Sequence, residues 1–219
     1  SGSYIFLSIL LIIPFFILLF YQNENKNSLY KRNTTYIRSY YSLLFQPRFL
    51  QSVAASGLAC AVMAFLMTAT PISMHIYNNI SLERTGFVIM VHTIAMFLPS
   101  LITGNLIKNY GHSKVMYLGV IILFFAIFFN FIHQNFYNYI LGLILIGLGW
   151  NFLYISGTSL LITTYRSEEK FRAQGLNDFV VFTTQALGAL SAGYLLTLFG
   201  WQLINIFCIP LTGTIALIV

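Results

Sequence analysis

Charge is what this chain of 219 residues has least of: 5 Asp and Glu, and 7% charged residues in all. Soluble domains carry about 25% charged residues, so an ordinary water-facing surface is excluded. A protein of this size buries only about 70% of the surface its unfolded chain exposes. With 58% hydrophobic residues and a mean hydropathy of +0.80, much of the remainder must face lipid. Cysteine is nearly absent as well. Cys60 and Cys208 both fall inside apolar runs, so no disulfide framework and no cysteine metal site is expected. Both read as small packing or lipid-facing residues. The opening apolar run lacks a basic leading region and a small-residue cleavage pattern, which argues against a signal peptide. The chain begins Ser-Gly-Ser and stops at Val219 inside an apolar run, so it reads as a fragment.

What charge there is leans basic, with 11 Lys and Arg and a net charge of +6. A nucleic-acid binder collects such residues on one face with aromatic stacking groups. Here they sit in gaps between long apolar runs, which is membrane topology, and no nucleic-acid partner is expected. About 20 mainly apolar residues cross a hydrocarbon core of about 30 Å. Seven segments qualify, near residues 4–21, 49–77, 85–107, 115–133, 137–164, 173–198 and 201–219, and no period-two alternation competes with them. The expected fold is therefore all-α and polytopic, with about seven transmembrane helices. The polar stretch 22–48 is the one real linker. Lys and Arg favour the cytoplasmic side. The gaps 22–48, 108–114 and 165–172 hold 10 of the 11, and Arg84 alone falls in the others. That places the linker and Val219 inside and residue 4 outside.

The gap from Gly104 to Lys114 carries two glycines seven apart, Leu106 two after the first, and Lys114 three after the second. Here the chain resembles the major facilitator superfamily of secondary transporters, whose loop between the second and third helices of each half reads G-x-L-a-D-r-x-G-r-[rk]. Gly104, Leu106, Gly111 and Lys114 fit, while Lys108 stands at the acidic position and Asn109 at the next basic one. The resemblance implies residues 1–21 as the last helix of the N-terminal half, 22–48 as the cytoplasmic linker, and 49–219 as the six-helix C-terminal half. It also implies a substrate site near the midplane between the halves. One wall of that site would lie in this chain and the other in the missing N-terminal half. The family's acidic loop residue holds the cytoplasmic side closed. Because that position is Lys108, a swapped latch of Lys108 or Lys114 with Asp178 is expected. The alternatives are that Asp178 favours its helix N-terminus or pairs with Arg172.

Polar residues inside spans mark function or packing. Pro71, with Thr68, Thr70, Ser73 and His75 around it, bends a helix expected to line the cavity. Asn151, Tyr154 and Thr158 recur at helical spacing on one face, and Trp150 lies near mid-span, away from the interfacial aromatic belts. The resemblance places that helix along the cavity, so Trp150, Asn151 and Tyr154 lead the substrate contacts, with Gln185, Thr70 and His92 beside them. Gln185 is either interhelical glue or a cavity contact. His92 makes protons a candidate coupling ion, although a lone imidazole is more often a neutral hydrogen-bonding group.

The reading that follows is a secondary transporter moving a small neutral, zwitterionic or aromatic solute by alternating access. No Walker-type loop is present, so ATP-driven transport has no support. No cofactor or metal is expected, and the chain is not read as an enzyme. A seven-helix receptor or another non-transport membrane protein is the alternative. Membrane lipids are the surroundings, and the high Ile, Phe, Asn and Tyr usage leans toward a bacterial inner membrane.

Overall fold

Helices account for nearly all of the described backbone, because long apolar segments in lipid must satisfy every peptide group internally. A computed structural model describes residues 2–20 and 38–219. Residues 22–37 of the linker, with Lys26, Lys31 and Arg32, lie outside the described residues. The chain divides into two units, 1–36 and 37–219. In the first unit, α1 is a 19-residue apolar helix, Gly2–Phe20, with Pro14 inside it.

The second unit opens with a short helix, α2 (Tyr40–Leu44), inside the expected linker. It continues with α3 (Pro47–Ile72), α4 (Leu82–Phe97), α5 (Ser100–Tyr110), α6 (His112–Ile132), α7 (Phe136–Ile162) and α8 (Lys170–Ile218). Five stretches are long and apolar enough to cross a bilayer: 47–77, 82–110, 112–132, 136–162 and 167–218. The last is a pair. Gly200 has φ 74° and ψ 171°, a region open essentially to glycine alone, and there the helix reverses. Both arms of α8 end beside the start of α3: Gln51 Nε2 donates to Val219 O at 2.8 Å, and Asn177 Oδ1 lies 3.4 Å from Ser56 Oγ. Divided at Gly200, the second unit holds six lengths of helix that could cross a bilayer, the number that the hydropathy predicts for it. Gly111 adopts the same backbone region at φ 85° and ψ 161°, turning α5 into α6.

Two features depart from the expected spans. The crossing read as one helix over 85–107 breaks at Leu98-Pro99, because proline cannot supply the amide hydrogen that the helix needs there. Past Pro71, α3 widens into a π turn over Ser73–Tyr77. Its Ser73 hydroxyl meets Tyr139 Oη at 2.7 Å, and Asn78 Nδ2 donates to the same Tyr139 oxygen at 3.0 Å.

The core is built around α3, which packs between α7 and α8 and buries Ala55, Ala59, Val62, Leu66 and Ala69. Small residues let these backbones close together, the usual solution where lipid supplies no hydrophobic drive between helices. Ser52 Oγ donates to Gly157 O at 2.7 Å and Thr184 Oγ1 to Gly57 O at 2.9 Å, so α3 is stitched to both neighbours. Across the α6–α7 contact, Gly142 lies directly under the Asn130 side chain, and a Cβ there would collide with Asn130 Oδ1. Gly142→Ala is therefore expected to destabilise by about 1–3 kcal/mol through overpacking. Thermal unfolding in detergent checks this, and Asn130→Ala in the same chain should recover part of the loss.

Candidate functional site

The residues expected to meet substrate are distributed over α3, α4, α7 and the first arm of α8. On α7, Trp150 and Tyr154 stack nearly parallel, with ring centroids 4.8 Å apart and an interplanar angle of 11°. Four residues apart on a helix, the two rings fall one above the other. Trp150 is buried, and its indole N–H donates to Cys60 Sγ at 3.1 Å, with Phe97 edge-on at 6.3 Å. Trp150 thus backs Tyr154, which is half-buried and whose hydroxyl has no hydrogen bond among the described residues.

Asn151 is fully buried and committed to the break between α4 and α5. Its Nδ2 donates to Met96 O and Ser100 Oγ, both at 2.7 Å, and its Oδ1 accepts from Thr103 Oγ1 at 2.7 Å. His92 is also fully buried, with Nδ1 donating to Leu143 O at 2.7 Å, since a carbonyl can only accept. That bond ties α4 to α7. Thr70 is buried and returns its hydroxyl to Leu66 O on its own helix. Gln185 is half-buried, and its amide makes no hydrogen bond among the described residues.

The first arm of α8 presents one exposed stripe: Gly175, Asp178, Phe179, Phe182, Thr183, Ala186 and Leu187, lining an open cavity of about 550 Å³. An ionised carboxylate facing lipid is costly, and intramembrane acids face protein or water-filled cavities. Asp178 therefore marks this stripe as a protein or cavity face. Its Oδ1 accepts from Asn177 Nδ2 at 3.1 Å. The expected latch with Lys108 or Lys114 is not formed within this structure, since neither lysine comes within 4.0 Å of Asp178. In the glycine loop, Gly104 faces open space, Leu106 is half-buried, and Lys108 and Lys114 are exposed.

The ion pair among the described residues is Arg38–Glu169, which the sequence reading did not pick out. Glu169, 1% exposed, accepts from Arg38 Nη2 at 2.6 Å, from Arg38 Nε at 2.8 Å, and from the backbone amides of Arg38 and Arg166, both at 3.1 Å. Arg38 also donates to Thr164 O and Gln46 Oε1. Both groups lie in the connections ahead of the spans at 49 and 173. The guanidinium bonds hold the Glu169 carboxyl at about 2, well below the usual carboxylate range. Four donors converging on one buried carboxylate tie the end of the linker to the α7–α8 connection.

This geometry defines a polytopic all-α membrane protein: a bundle of long apolar helices with an aromatic pair on one central helix and an acid-bearing open face on another. The model of the Major Facilitator Superfamily matches residues 53–219. The chain belongs to that superfamily and is an integral membrane protein. Among its relatives, the riboflavin transporter RfnT of Brucella anthropi is 36% identical over 173 residues, covering 79% of this chain and 43% of that protein. Two proteins of Bacillus subtilis described as uncharacterized MFS-type transporters are also similar. YdeG is 33% identical over 134 residues, 60% of this chain and 31% of its own length. YddS is 30% identical over 151 residues, 68% of this chain and 34% of its own length. The chain spans less than half the length of each of these relatives.

Proposed function

We propose that this chain is the last helix of the N-terminal half (1–21), the linker (22–48) and the six-helix C-terminal half (49–219) of a secondary transporter, and that its solute is planar and aromatic. The observation that carries the solute class is the parallel Trp150–Tyr154 pair. A flat heteroaromatic ring can extend this stack on the Tyr154 side, gaining the offset contact that aromatic rings favour. The similarity to a riboflavin transporter makes riboflavin the first solute to test. Gln185 supplies a free amide and Asp178 an acceptor for ring or side-chain hydroxyl and N–H groups. Trp150 supports Tyr154 from behind. Asn151 and His92 hold together the helices that carry the site, and Thr70 bonds within its own helix.

Alternating access then moves the open α8 face against the other half around this site, with the basic end of the bundle, including 22–48, on the cytoplasmic side of a bacterial inner membrane. Protons are the coupling ion to test first, and Asp178 is the acid on the open face.

The test is solute uptake into vesicles holding the full-length protein. Tyr154→Ala should raise KM for riboflavin about tenfold, the value of one or two aromatic contacts, while Tyr154→Phe stays near wild type. Equal KM values in all three would remove Tyr154 from the site. Dependence on an imposed pH gradient, lost in Asp178→Asn, would establish proton coupling through that acid.

A further inference from the structure

At the basic end of the bundle, away from the aromatic pair, lies a cavity of about 380 Å³ between the start of α3, the Gly111 turn and α7. Its polar lining is Arg48, Gln51, Tyr110, His112, Ser113 and Lys114, and Leu160 supplies apolar surface. None of the four described acidic residues, Glu83, Glu168, Glu169 and Asp178, lines it. Arg48 and Lys114 are both exposed and form no ion pair or hydrogen bond among the described residues. His112 Nε2 meets Ser159 Oγ at 3.2 Å and Gln51 Nε2 donates to Ser113 Oγ at 2.9 Å, so the neutral part of the lining is held in place. Helix α6 begins at this point, which adds partial positive charge at the mouth.

We infer that this cavity binds the phosphate of an anionic phospholipid headgroup. Two uncompensated cations meet on one recess, and a phosphate offers the acceptors they lack. The position selects the lipid as its source: Arg48, Tyr110, His112 and Leu160 fall at the ends of the apolar stretches 47–77, 82–110, 112–132 and 136–162, where lipid headgroups would lie. Basic pockets between spanning helices on the cytoplasmic side suit that chemistry. Gln51, Ser113 and the Tyr110 hydroxyl are placed to accept and donate to a hydroxylated headgroup such as glycerol. Lys108 stands where the family pattern has an acid, so this loop offers no carboxylate to compete with a phosphate for Lys114.

The experiment uses the full-length protein in detergent, with phosphatidylglycerol, phosphatidylcholine and inorganic phosphate as separate probes. Thermal stability and retained lipid by native mass spectrometry are read together. Phosphatidylglycerol should raise the unfolding temperature and be retained, and phosphatidylcholine should do neither. The double variant Arg48→Gln/Lys114→Gln should weaken retention about thirtyfold, the effect of two cations at a charged surface. Its unfolding temperature without lipid should match wild type. The double variant Lys170→Gln/Arg172→Gln removes the same charge elsewhere at this end and should keep the effect. An equal shift with inorganic phosphate would keep the phosphate site and overturn lipid as its source. Retention unchanged in Arg48→Gln/Lys114→Gln, or lost equally in Lys170→Gln/Arg172→Gln, would overturn the site.

Discussion

Arg38→Gln is expected to cost the protein about 3 kcal/mol, the lower end of what breaking a buried pair usually costs. The reason is an asymmetry in burial. Glu169 is 1% exposed, so losing the guanidinium leaves its charge with only the two backbone amides, whereas Arg38 keeps 26% of its side chain exposed. Glu169→Gln should therefore be milder than Arg38→Gln, and the double variant Arg38→Met/Glu169→Met milder still, because no charge is left buried. The depressed carboxyl has a pH signature. A group whose folded pKa lies below its ordinary 4.5 contributes fully above 4.5 and loses that contribution as pH falls toward about 2. Thermal unfolding of the full-length protein in detergent, run from pH 7 down to pH 3, reads both effects. Arg38→Gln as stable as wild type would show that the pair holds nothing together.

Asn151→Ala should be nearly as damaging, at about 3 kcal/mol, although no charge is involved. The side chain gives partners to Met96 O, Ser100 Oγ and Thr103 Oγ1, all at 2.7 Å, and all at the Pro99 break. Each buried polar group stranded by such a deletion costs about 1–3 kcal/mol. Thr103 keeps its bond to Pro99 O, which limits the total. Solute KM in the surviving protein should change little, because Asn151 faces α4 and α5 and not the open side. A variant with wild-type stability and a large rise in KM would reverse this assignment and make Asn151 a solute contact.

Much of this architecture is legible in the residues. Lipid demands about 20 apolar residues for each crossing, so span positions follow from hydropathy, and the Phe199-Gly200 turn appeared as a gap of two. The glycine loop was equally visible, since Gly111 occupies a conformation that few other residues tolerate. The site was less so. Spacing puts Trp150, Asn151 and Tyr154 on neighbouring positions of α7, but helical phase alone does not say which neighbour each will face. The Pro99 break decided that for Asn151: a severed helix needs a hydrogen-bonding partner in lipid, and Asn151 sits at that depth. Proline at 99 was the available signal. Arg38–Glu169 was hidden for a different reason. The two residues are 131 apart in sequence, each in a segment rich in charge, and only the folding of the linker end against the α7–α8 connection brings them together. Asp178 stood out because an acid within a span has so few acceptable surroundings. Helical phase does not supply its partner, and neither Lys108 nor Lys114 lies within ion-pair reach of it in this structure.

The most direct test of the central claim is riboflavin uptake into vesicles that carry the full-length protein, measured against empty vesicles and with excess unlabelled riboflavin as competitor. The account predicts saturable uptake that the competitor abolishes and that Tyr154→Ala weakens through KM. Correctly folded protein that gives vesicles no more uptake than empty ones, for riboflavin and for other flat heteroaromatic solutes, would contradict it.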